Sequence, residues 1–503
     1  MNIYLLIFAA YIVFLLILGY VAARRSKETV EDYFVAGRSL NMWIVAGTYG
    51  ASFMSAGSFI GQIGMNYRLG WATGWQLVGT LVAVFFVAAF LAKKFWRFGF
   101  HNGACSMPDL IGMRYSPKVG RTIYALIIFC IYTVGMASMY MGMNAVVGLV
   151  SDVPYMVTII IAAVAVAIYT ISGGARAVAW TDTACMVLMM FAIVAGTAVA
   201  LVKSGGLANL IEMYGQSPMQ EGAEVTMAAG KDLISGTNSY FTVGMCVAWG
   251  LIWATGNPAQ PHQLTRVYLA RDEKHAILAV AIVMIPFAFI YIGGLIIANY
   301  ARVLDPFLEH TDQAFPLVVM DAFPAFIAAI ILVGIIAAVL STASTMLIIT
   351  GQTISYDIHK KVINPNATEK QTMIVSRVAI AISMILSVII AYIAQDLPGL
   401  LFLWSAAFAM MGSGILPSLI GAFYWKGATA AGSISSMLVG FITTGAMYLI
   451  PTLKPAWIVH PILFGLPISI IVYVVVSWFT KKPSQEQLEI FYGRQIKDDP
   501  VIE

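Results

Sequence analysis

The sequence has 503 residues, of which 60% are hydrophobic and only 10% charged, with a net charge of +4 and a mean hydropathy of +0.85. A soluble domain carries about 25% charged residues, so the composition excludes an ordinary water-soluble enzyme; the small net charge says little alone, and no nucleic-acid partner is predicted. Backbone polar groups in a bilayer must be satisfied internally, and the apolar runs are continuous rather than alternating. The sequence therefore predicts an all-α polytopic membrane protein embedded in a lipid bilayer.

Thirteen apolar runs are candidates for membrane-spanning helices, which need about 20 residues each. These runs cover residues 3–22, 42–68, 71–92, 122–150, 154–173, 178–202, 238–256, 276–300, 324–350, 373–394, 399–424, 428–450 and 459–480. The first run has no basic region before it and no small-residue cleavage site after it. It is therefore predicted to be a span and not a signal peptide.

Lysine and arginine set the orientation, because they concentrate on the cytoplasmic side of membrane proteins. With the N-terminus outside, 23 of the 28 basic residues fall in inner segments, Arg266 among them. The five outer ones are Arg68, Lys203, Lys231, Arg302 and Lys454. The N-terminus is thus predicted outside and the C-terminus cytoplasmic, in the plasma (inner) membrane.

Three features lie outside the main pattern of spans. The predicted outer loop 205–237 contains a weakly amphipathic stretch, 207–214, which is expected to form a surface helix. The tail 481–503 is polar and is expected to be loosely ordered. The four cysteines are predicted to be small buried hydrophobes rather than a disulfide framework.

The second span, 42–68, is a poor continuous helix. It contains Gly47, Gly50, Gly57, Gly61 and Gly64 together with hydroxyl and amide side chains. Glycine disfavours a helix interior by about 1 kcal/mol, and polar groups in hydrocarbon need partners. Two explanations are open: a discontinuous helix whose unwound backbone lines a cavity, or a packing face of small residues.

The seventh span, 238–256, ends irregularly, because apolar helix gives way to Gly256, Asn257, Pro258 and Pro261. Alone, this pattern is typical of an ordinary helix end. The two irregular segments, however, occupy matching places in spans 2–6 and 7–11. Paired broken helices indicate an inverted-repeat transporter with a binding site near the membrane midplane.

The ninth span, 324–350, carries a polar stripe on an apolar helix. Ala338, Ser341, Thr342 and Thr345 follow each other at the spacing of one helix face. Their hydroxyls, with carbonyls freed by an unwound helix opposite, could supply the oxygen ligands of a sodium ion. Hydroxyl-mediated helix packing is the alternative, and it is the commoner explanation for such a stripe alone.

Asp182 is the only acidic residue inside a predicted span. Carboxylates within a membrane are costly and usually functional. Because Asp182 lies within about two turns of the inner end, a water-filled vestibule or the interface could also solvate it. We expect a role in the inner route of a cation rather than direct ligation.

Catalytic motifs are absent from the sequence. There is no Walker A loop, no pair of zinc-ligand histidines and no Gly-x-Ser-x-Gly elbow. The chain is therefore not predicted to be an enzyme, and uphill transport would have to draw on an ion gradient.

Several stretches together resemble the sodium:solute symporters, and the resemblance spans nearly the whole chain. They are 32–40 (DYFVAGRSL, against D-Y-x-x-G-G-R-S-L in the family), 172–183 (SGGARAVAWTDT), 260–266 (QPHQLTR), 337–342 (AAVLST) and Trp425 followed by 427–432 (GATAAG). The resemblance implies a LeuT-type inverted repeat of five plus five helices with flanking helices. The implied division is 1–41, first flanking helix and loop; 42–204, first repeat; 205–237, outer loop; 238–427, second repeat; 428–480, two flanking helices; and 481–503, tail.

The resemblance also implies a sodium site, with Na+ as the coupling ion. Carried over position by position, its ligands are the carbonyls of Ala51, Met54 and Ala338 and the hydroxyls of Ser341 and Thr342. Asp182 matches an acid that relatives hold near the sodium route. A single chain is implied to be the functional unit.

The family's solute contacts come from the middle of the two broken helices. Here these positions are Ser55, Ala56, Gly57, Ser58, Gln62, Trp253, Gly256, Asn257 and Pro261. Proline carriers have an acid at Phe53 and an aromatic residue at Asn257, whereas 58–61 with 70–71 looks more like the pantothenate carriers. Pantothenate is thus the first candidate solute and proline the second. No arginine is expected in the cavity to fix a strong anion.

Three other functions stay open at this level. Proton-coupled or uncoupled transport on the same scaffold is disfavoured by the Ser341–Thr342 pair. A solute sensor is disfavoured because no signalling domain follows Lys482. A membrane enzyme is disfavoured because no catalytic groups converge.

Overall fold

The computed structural model describes residues 2–24, 29–55, 57–218, 228–308, 310–395 and 400–493. Within these ranges the regular structure is helical, and a single isolated bridge pairs Leu40 with Ala270. The all-α prediction is confirmed for the described part of the chain.

The α-helices of the first half run from α1 to α10. They are α1 Ile3–Ala23, α2 Val30–Val35, α3 Met42–Phe53, α4 Gln62–Leu69, α5 Trp75–Phe86, α6 Ala92–Asn102, α7 Met107–Arg114, α8 Val119–Val150, α9 Tyr155–Lys203 and α10 Leu207–Gly215. A π-helical turn, Gly57–Gly61, precedes α4, and another, Val87–Leu91, joins α5 to α6. The helix expected at 207–214 is confirmed as α10.

The second half contains α11 to α22. They are α11 Val243–Gly256, α12 Pro261–Val267, α13 Glu273–Ile282, α14 Met284–Leu304, α15 Ala314–Ala322, α16 Ala325–Gln352, α17 Glu369–Ile393, α18 Leu400–Gly414, α19 Leu416–Tyr424, α20 Ala430–Leu449, α21 Ile462–Phe479 and α22 Gln485–Leu488. A π-helical segment, Thr353–Ile363, continues α16.

In the described ranges, ten helical stretches are long and apolar enough to cross a membrane. Three predicted spans are not among them. Spans 42–68 and 238–256 form shorter helices that end at breaks, and in span 154–173 the apolar helix is the shorter Tyr155–Ile168. The finding supports a polytopic membrane protein, while the count of thirteen stays a prediction.

The first break separates α3 from α4. Asn41 starts α3 by accepting hydrogen bonds from the backbone amides of Trp43 and Ile44. The helix ends at Phe53, and Met54 turns to the extended conformation, with φ −82° and ψ 90°. The interruption predicted within 42–68 is therefore present.

The second break separates α11 from α12. A short 3₁₀ turn, Asn257–Ala259, leads to Gln260, whose φ of −85° and ψ of 118° are extended. Pro261 then begins α12, where its missing amide hydrogen costs nothing. The predicted span stopped at 256, before the break; the helix in fact resumes and continues to Val267. Arg266 therefore belongs to a buried half-helix and not to an inner loop.

The helix α9 breaks at Gly174, between the predicted spans 154–173 and 178–202. Gly174 has φ +55° and ψ −156°, a conformation that side chains disfavour. A Cβ added there would lie 2.6 Å from the carbonyl oxygen of Tyr33. Glycine is thus required both by the backbone and by the close approach of α2.

Segments predicted on the same side of the membrane meet in the structure. At one end, Leu40 exchanges backbone hydrogen bonds of 3.0 Å with Leu269 and Arg271. At the other, Lys203 pairs with Asp321 at 2.8 Å. Each of these contacts joins two segments predicted on one side of the membrane, and the orientation of the termini stays a prediction.

Two minor predictions are wrong. The tail is ordered as far as residue 493, because Ser484 caps α22 and Phe491 is buried against Phe98, with ring centroids 4.9 Å apart. Residues 494–503 of the predicted tail lie outside the described ranges. All four cysteines are free, but Cys130 is exposed rather than buried.

The contact at Gly174 gives a matched pair of substitutions. Gly103 also has a positive φ, +61°, but nothing lies within 4 Å of an added Cβ. Gly103→Ala should lower the free energy of unfolding by about 1 kcal/mol, the backbone cost alone. Gly174→Ala should lower it further, because the backbone at Gly174 (φ +55°, ψ −156°) disfavours a side chain more than the left-handed conformation of Gly103 does, and because the Tyr33 carbonyl must move. Thermal unfolding of the purified proteins in detergent measures both; equal losses would contradict this explanation.

Candidate functional site

The last turn of α3 faces the middle of α16. Because α3 ends at Phe53, the carbonyls of its last turn lack helical partners. The Ser341 hydroxyl donates to the carbonyl oxygens of Ala51 and Ala338, each at 3.2 Å. Thr342 is fully buried, and its hydroxyl has no hydrogen-bond partner among the described residues. Four of the five predicted sodium ligands thus lie at this crossing, which we call the α3–α16 crossing.

Met54, the fifth predicted ligand, is buried at the break directly after α3. Its amide still donates to the Gly50 carbonyl at 2.9 Å. This is the last hydrogen bond of α3. The Met54 carbonyl lies beyond it, at the residue where the chain turns away from the helix axis. The atoms that could bind an ion at the α3–α16 crossing are neutral carbonyl and hydroxyl oxygens. Burying the Thr342 hydroxyl with neither a hydrogen-bond partner nor a ligand would cost the folded state about 1–3 kcal/mol. This oxygen set fits a small hard cation.

A buried charge pair lies beside the α3–α16 crossing. Asp182 on α9 is completely buried, and its Oδ2 accepts from the hydroxyls of Thr48, at 2.7 Å, and Thr345, at 3.3 Å. Arg266 on α12 approaches the same oxygen with Nη2 at 3.5 Å and donates to Thr345 Oγ1 at 2.5 Å. Protein groups thus bury Asp182 in this structure, and its expected role in the inner route of a cation stays a prediction.

Asp182 is also not the only buried acid in a membrane helix. Asp357 lies in the π-helical segment after α16, beyond the predicted end of that span at 350, and is fully buried. Arg121 Nη1 lies 2.6 Å from Asp109 Oδ1 and 3.3 Å from Asp357 Oδ1. This second cluster ties α7, α8 and the end of α16 together, away from the breaks.

The first break holds several predicted solute residues. Ser55 is buried, and its hydroxyl accepts from the amide of Gly57 at 3.1 Å. Gln62 is buried on α4; its amide donates to Asn66 at 2.8 Å, while its carbonyl oxygen has no partner in the described structure. Ala56 lies outside the described residues, as does the side chain of Ser58.

The second break carries more unpartnered polar atoms. Trp253 is buried and its indole N–H has no partner among the described residues. Asn257 donates to the Trp253 carbonyl at 2.7 Å, but its own amide oxygen accepts no hydrogen bond from them. Gln260 and Gln263 are also buried, and neither the amide oxygen nor the amide nitrogen of either side chain has a partner among the described residues. Since buried polar groups are normally paired, this concentration indicates a place where a polar ligand supplies partners.

Helix α18 connects the two breaks. A Cβ on Gly57 would lie 2.8 Å from the Trp404 ring, and one on Gly256 would lie 2.6 Å from the Phe408 carbonyl. The ring of Phe408 also lies 4.4 Å from that of Trp253, centroid to centroid. Gly57 at the first break and Gly256 and Trp253 at the second therefore all contact the same helix, α18. Pro261 is buried and begins α12, directly after the second break.

A cavity of about 420 Å³ opens next to these residues, a size suited to a small organic ligand. Its walls include Gly61 after the first break, Trp249 one turn before Trp253, and Ser405 beside Trp404. Arg68 and His460 also line it. None of the predicted solute residues that the structure describes lines this cavity, so the expectation that no arginine lies in the solute site stays a prediction.

Sequence reasoning missed several residues of the site. Gln260, Gln263 and Arg266 stand in the quoted stretch 260–266, and their polarity beside the break was a usable signal. Trp404 and Phe408 gave no such signal, because aromatic residues on an apolar helix are usually core or lipid-facing.

Paired interrupted helices, a crossing of freed carbonyls with helix hydroxyls, and an adjoining cavity define a secondary transporter of the membrane. The chain belongs to the sodium:solute symporter family, whose sequence model matches residues 33–440. The family, like the solved structures that share the fold, consists of transporters.

Individual relatives agree with this membership. The chain is 29% identical over 500 residues to a sodium/proline symporter of Haemophilus influenzae, covering 97% of this chain and 96% of the relative. It is 27% identical over 470 residues to a sodium/pantothenate symporter of Escherichia coli, covering 92% and 93%.

Solved structures share the fold. A Na+-coupled sialic acid symporter, solved substrate-bound and outward-open, matches with a TM-score of 0.77 at 19% identity, covering 96% of this chain and 99% of that one. Mhp1, a nucleobase-cation-symport-1 family transporter, matches with a TM-score of 0.56 at 14% identity, covering 91% and 97%. These neighbours place the fold among the LeuT-type transporters.

Proposed function

We propose that the chain is a sodium-coupled symporter that takes up a small organic solute by alternating access. The proposal combines the family membership with one observation. At the α3–α16 crossing, the Ser341 hydroxyl lies 3.2 Å from the carbonyl oxygens of Ala51 and Ala338, and the next residue on α16, Thr342, is buried with an unpartnered hydroxyl. In the proposal, Na+ is held there, with the Met54 carbonyl as a fifth ligand.

The solute binds, in this proposal, between the two breaks and α18. The unpartnered atoms of Gln62, Asn257, Gln260 and Gln263 would pair with its polar groups. Trp253 and Phe408 would contact its apolar part. Ala56 and Ser58 are kept as proposed contacts from the sequence.

Pantothenate is the first candidate solute, on the resemblance of residues 58–61 and 70–71 to the pantothenate carriers. Other monocarboxylates are kept as candidates of the same class; the neighbouring cavity is lined by Arg68 and Lys454 but also by Asp312, so its charges do not single out an anion. Proline is the second candidate, favoured by the 29% identity to a sodium/proline symporter. Against it, Phe53 is buried, with its ring 4.4 Å from that of Phe287, and offers no acid for the proline nitrogen.

The proposed topology has thirteen spans in two inverted five-helix repeats, 42–204 and 238–427, with the N-terminus outside. The two breaks support the repeats, because each falls in the first helix of its half. The contacts of Leu40 with Leu269 and of Lys203 with Asp321 support the alternation of spans. A single chain would suffice, since all proposed contacts come from one copy.

Uptake into proteoliposomes tests the function. Labelled pantothenate or proline should accumulate under an inward sodium gradient and not under an equal potassium gradient. Ser341→Ala and Thr342→Ala should each raise the sodium concentration for half-maximal uptake by about tenfold or more, the effect of about 1.4 kcal/mol of lost binding free energy. Their thermal stability should change little by comparison.

Thr350→Ala is the matched control. Thr350 is buried on the same helix, but its hydroxyl bonds only to the Leu347 carbonyl of that helix, at 2.8 Å. Its sodium dependence should equal that of the unmodified protein. Identical sodium dependence in all three variants would remove sodium from the α3–α16 crossing, and uptake that ignores sodium altogether would overturn the function.

Gln62 is expected to contribute to solute selection. Gln62→Met keeps the side-chain length but removes the unpartnered carbonyl oxygen, so the uptake ratio of pantothenate to proline should change by about tenfold. Gln352→Met is the control, since Gln352 is a buried amide that bonds to the Cys105 carbonyl at 2.8 Å, far from the breaks. Equal ratios in both variants and in the unmodified protein would place Gln62 outside the solute site.

A further inference from the structure

A groove separate from the two breaks lies at the surface between α1, α3 and α9. It has a volume of about 320 Å³ and is lined by Leu18, Val21, Ser39, Leu40, Asn41, Ile44, Arg176 and Trp180. Val21 is 48% exposed and Trp180 41%, and each stands on a helical stretch long and apolar enough to cross a membrane. The groove therefore opens on the surface that faces lipid.

The lining of the groove changes from polar to apolar along its length. Ser39 and Asn41 precede α3, whereas Ile44 lies within the first turn of that helix. Arg176 lies just after the break in α9, and Trp180 follows one turn, about 5 Å, further along. The two polar groups meet, because Arg176 Nη2 lies 3.2 Å from Ser39 Oγ. The groove thus has a polar end near the loop and an apolar end deeper among the helices.

The polar end carries a positive charge, because Arg176 is the one charged residue in the lining. Its Nη2 donates to Asp32 Oδ1 and to the Ala36 carbonyl, each at 2.8 Å, while the Asp32 side chain is only 6% exposed. The side chain of Arg176 keeps 20% of its surface exposed, and its Nε has no partner among the described residues. Glu31, the other acid of this loop, bonds to Arg38 at 3.2 Å. The buried acid therefore fixes the guanidinium in place without covering it.

The surroundings of the polar end are typical of a membrane interface, where exposed aromatic residues collect. Trp43 is 62% exposed and Tyr20 is 55% exposed. Arg24 lies three residues after Val21 at the end of α1, with its guanidinium 4.7 Å from the centre of the Tyr20 ring, and adds a second cation. In the proposed topology this end faces the cytoplasm, and the cytoplasmic leaflet carries anionic lipids.

We propose that the groove binds one anionic phospholipid. The phosphate lies against Arg176 and Ser39, and an acyl chain follows Leu18, Ile44 and Trp180 towards the middle of the membrane. The polar-to-apolar lining matches the lipid along its length, and the charge at the polar end selects an anionic headgroup. The bound lipid packs against the start of α3 and the second segment of α9 and so stabilises their contact. This site is separate from the proposed transport of a solute and does not depend on it.

The unfolding temperature of the purified chain in detergent tests the site, because a ligand of the folded state raises that temperature. Phosphatidylglycerol should raise it in a saturable manner. Phosphatidylcholine at the same concentration should raise it less, and soluble glycerol phosphate, which has no acyl chains, should not raise it. Equal rises with the two lipids would overturn the choice of an anionic lipid, and an equal rise with glycerol phosphate would show a site for a free anion instead.

Two variants probe the two ends of the groove. Arg176→Gln should weaken phosphatidylglycerol binding about fivefold, the contribution of one cation near an anionic lipid surface. Its control is Arg97→Gln, since Arg97 pairs with Glu273 at 2.5 Å on the same predicted side of the membrane and does not line the groove. Val21→Trp should weaken binding by filling the groove without changing its charge. Val13→Trp is the matched control, because Val13 is 53% exposed on the same helix and lies outside the groove.

Both controls should bind phosphatidylglycerol as the unmodified protein does. Binding by Arg176→Gln and Val21→Trp that equals binding by their controls would overturn the inference. Where Arg176→Gln does not fold, the two valine variants decide, and equal binding by those two overturns it.

Discussion

The fold and the candidate site both depend on the two points at which membrane helices are interrupted. A backbone carbonyl in hydrocarbon must find a partner, and at the end of α3 the regular partner is missing. The carbonyls of Ala51 and Ser52 turn instead to Ser341, at 3.2 Å, and to His262 Nε2, also at 3.2 Å. The break is therefore tolerated only because α16 and α12 cover it, and the same geometry concentrates oxygen atoms in an otherwise apolar interior.

Buried charge supplies the second constraint. Asp182 with Arg266, and Asp109 and Asp357 with Arg121, are almost fully excluded from solvent. Ion pairs of this kind contribute little net stability but are costly to break on one side, so each fixes the relative positions of the helices that carry it. The first pair joins α12 to α9 beside the α3–α16 crossing. The second group joins α7 and α8 to the segment after α16. Buried charges thus hold α16 at two places, beside the α3–α16 crossing and just after its C-terminal end.

Much of this arrangement was predictable from residue types. The glycine and hydroxyl content of 42–68 left a packing face open, and only its pairing with the irregular end of 238–256 favoured a break. The spacing of Ser341 and Thr342 allowed a cation site on that face of α16, with hydroxyl-mediated packing as the alternative. The second break lies where the sequence indicated it, but the half-helix that follows it was not predicted, because Pro258 and Pro261 are as typical of a helix end as of a helix that resumes. Arg266 was consequently assigned to a loop, since a positive charge after two prolines usually lies at the surface. Trp404 and Phe408 were beyond prediction, because only tertiary packing brings α18 between the breaks.

The most direct test of the account is a high-resolution cryo-EM structure of the protein in lipid nanodiscs, determined once in sodium chloride and once in choline chloride. The account predicts a density feature in sodium, absent in choline, within ligand distance of the Ala51 and Ala338 carbonyls and the Ser341 and Thr342 hydroxyls. Maps without such a feature in either salt, or with the Thr342 hydroxyl bonded to another protein group in both, would contradict it.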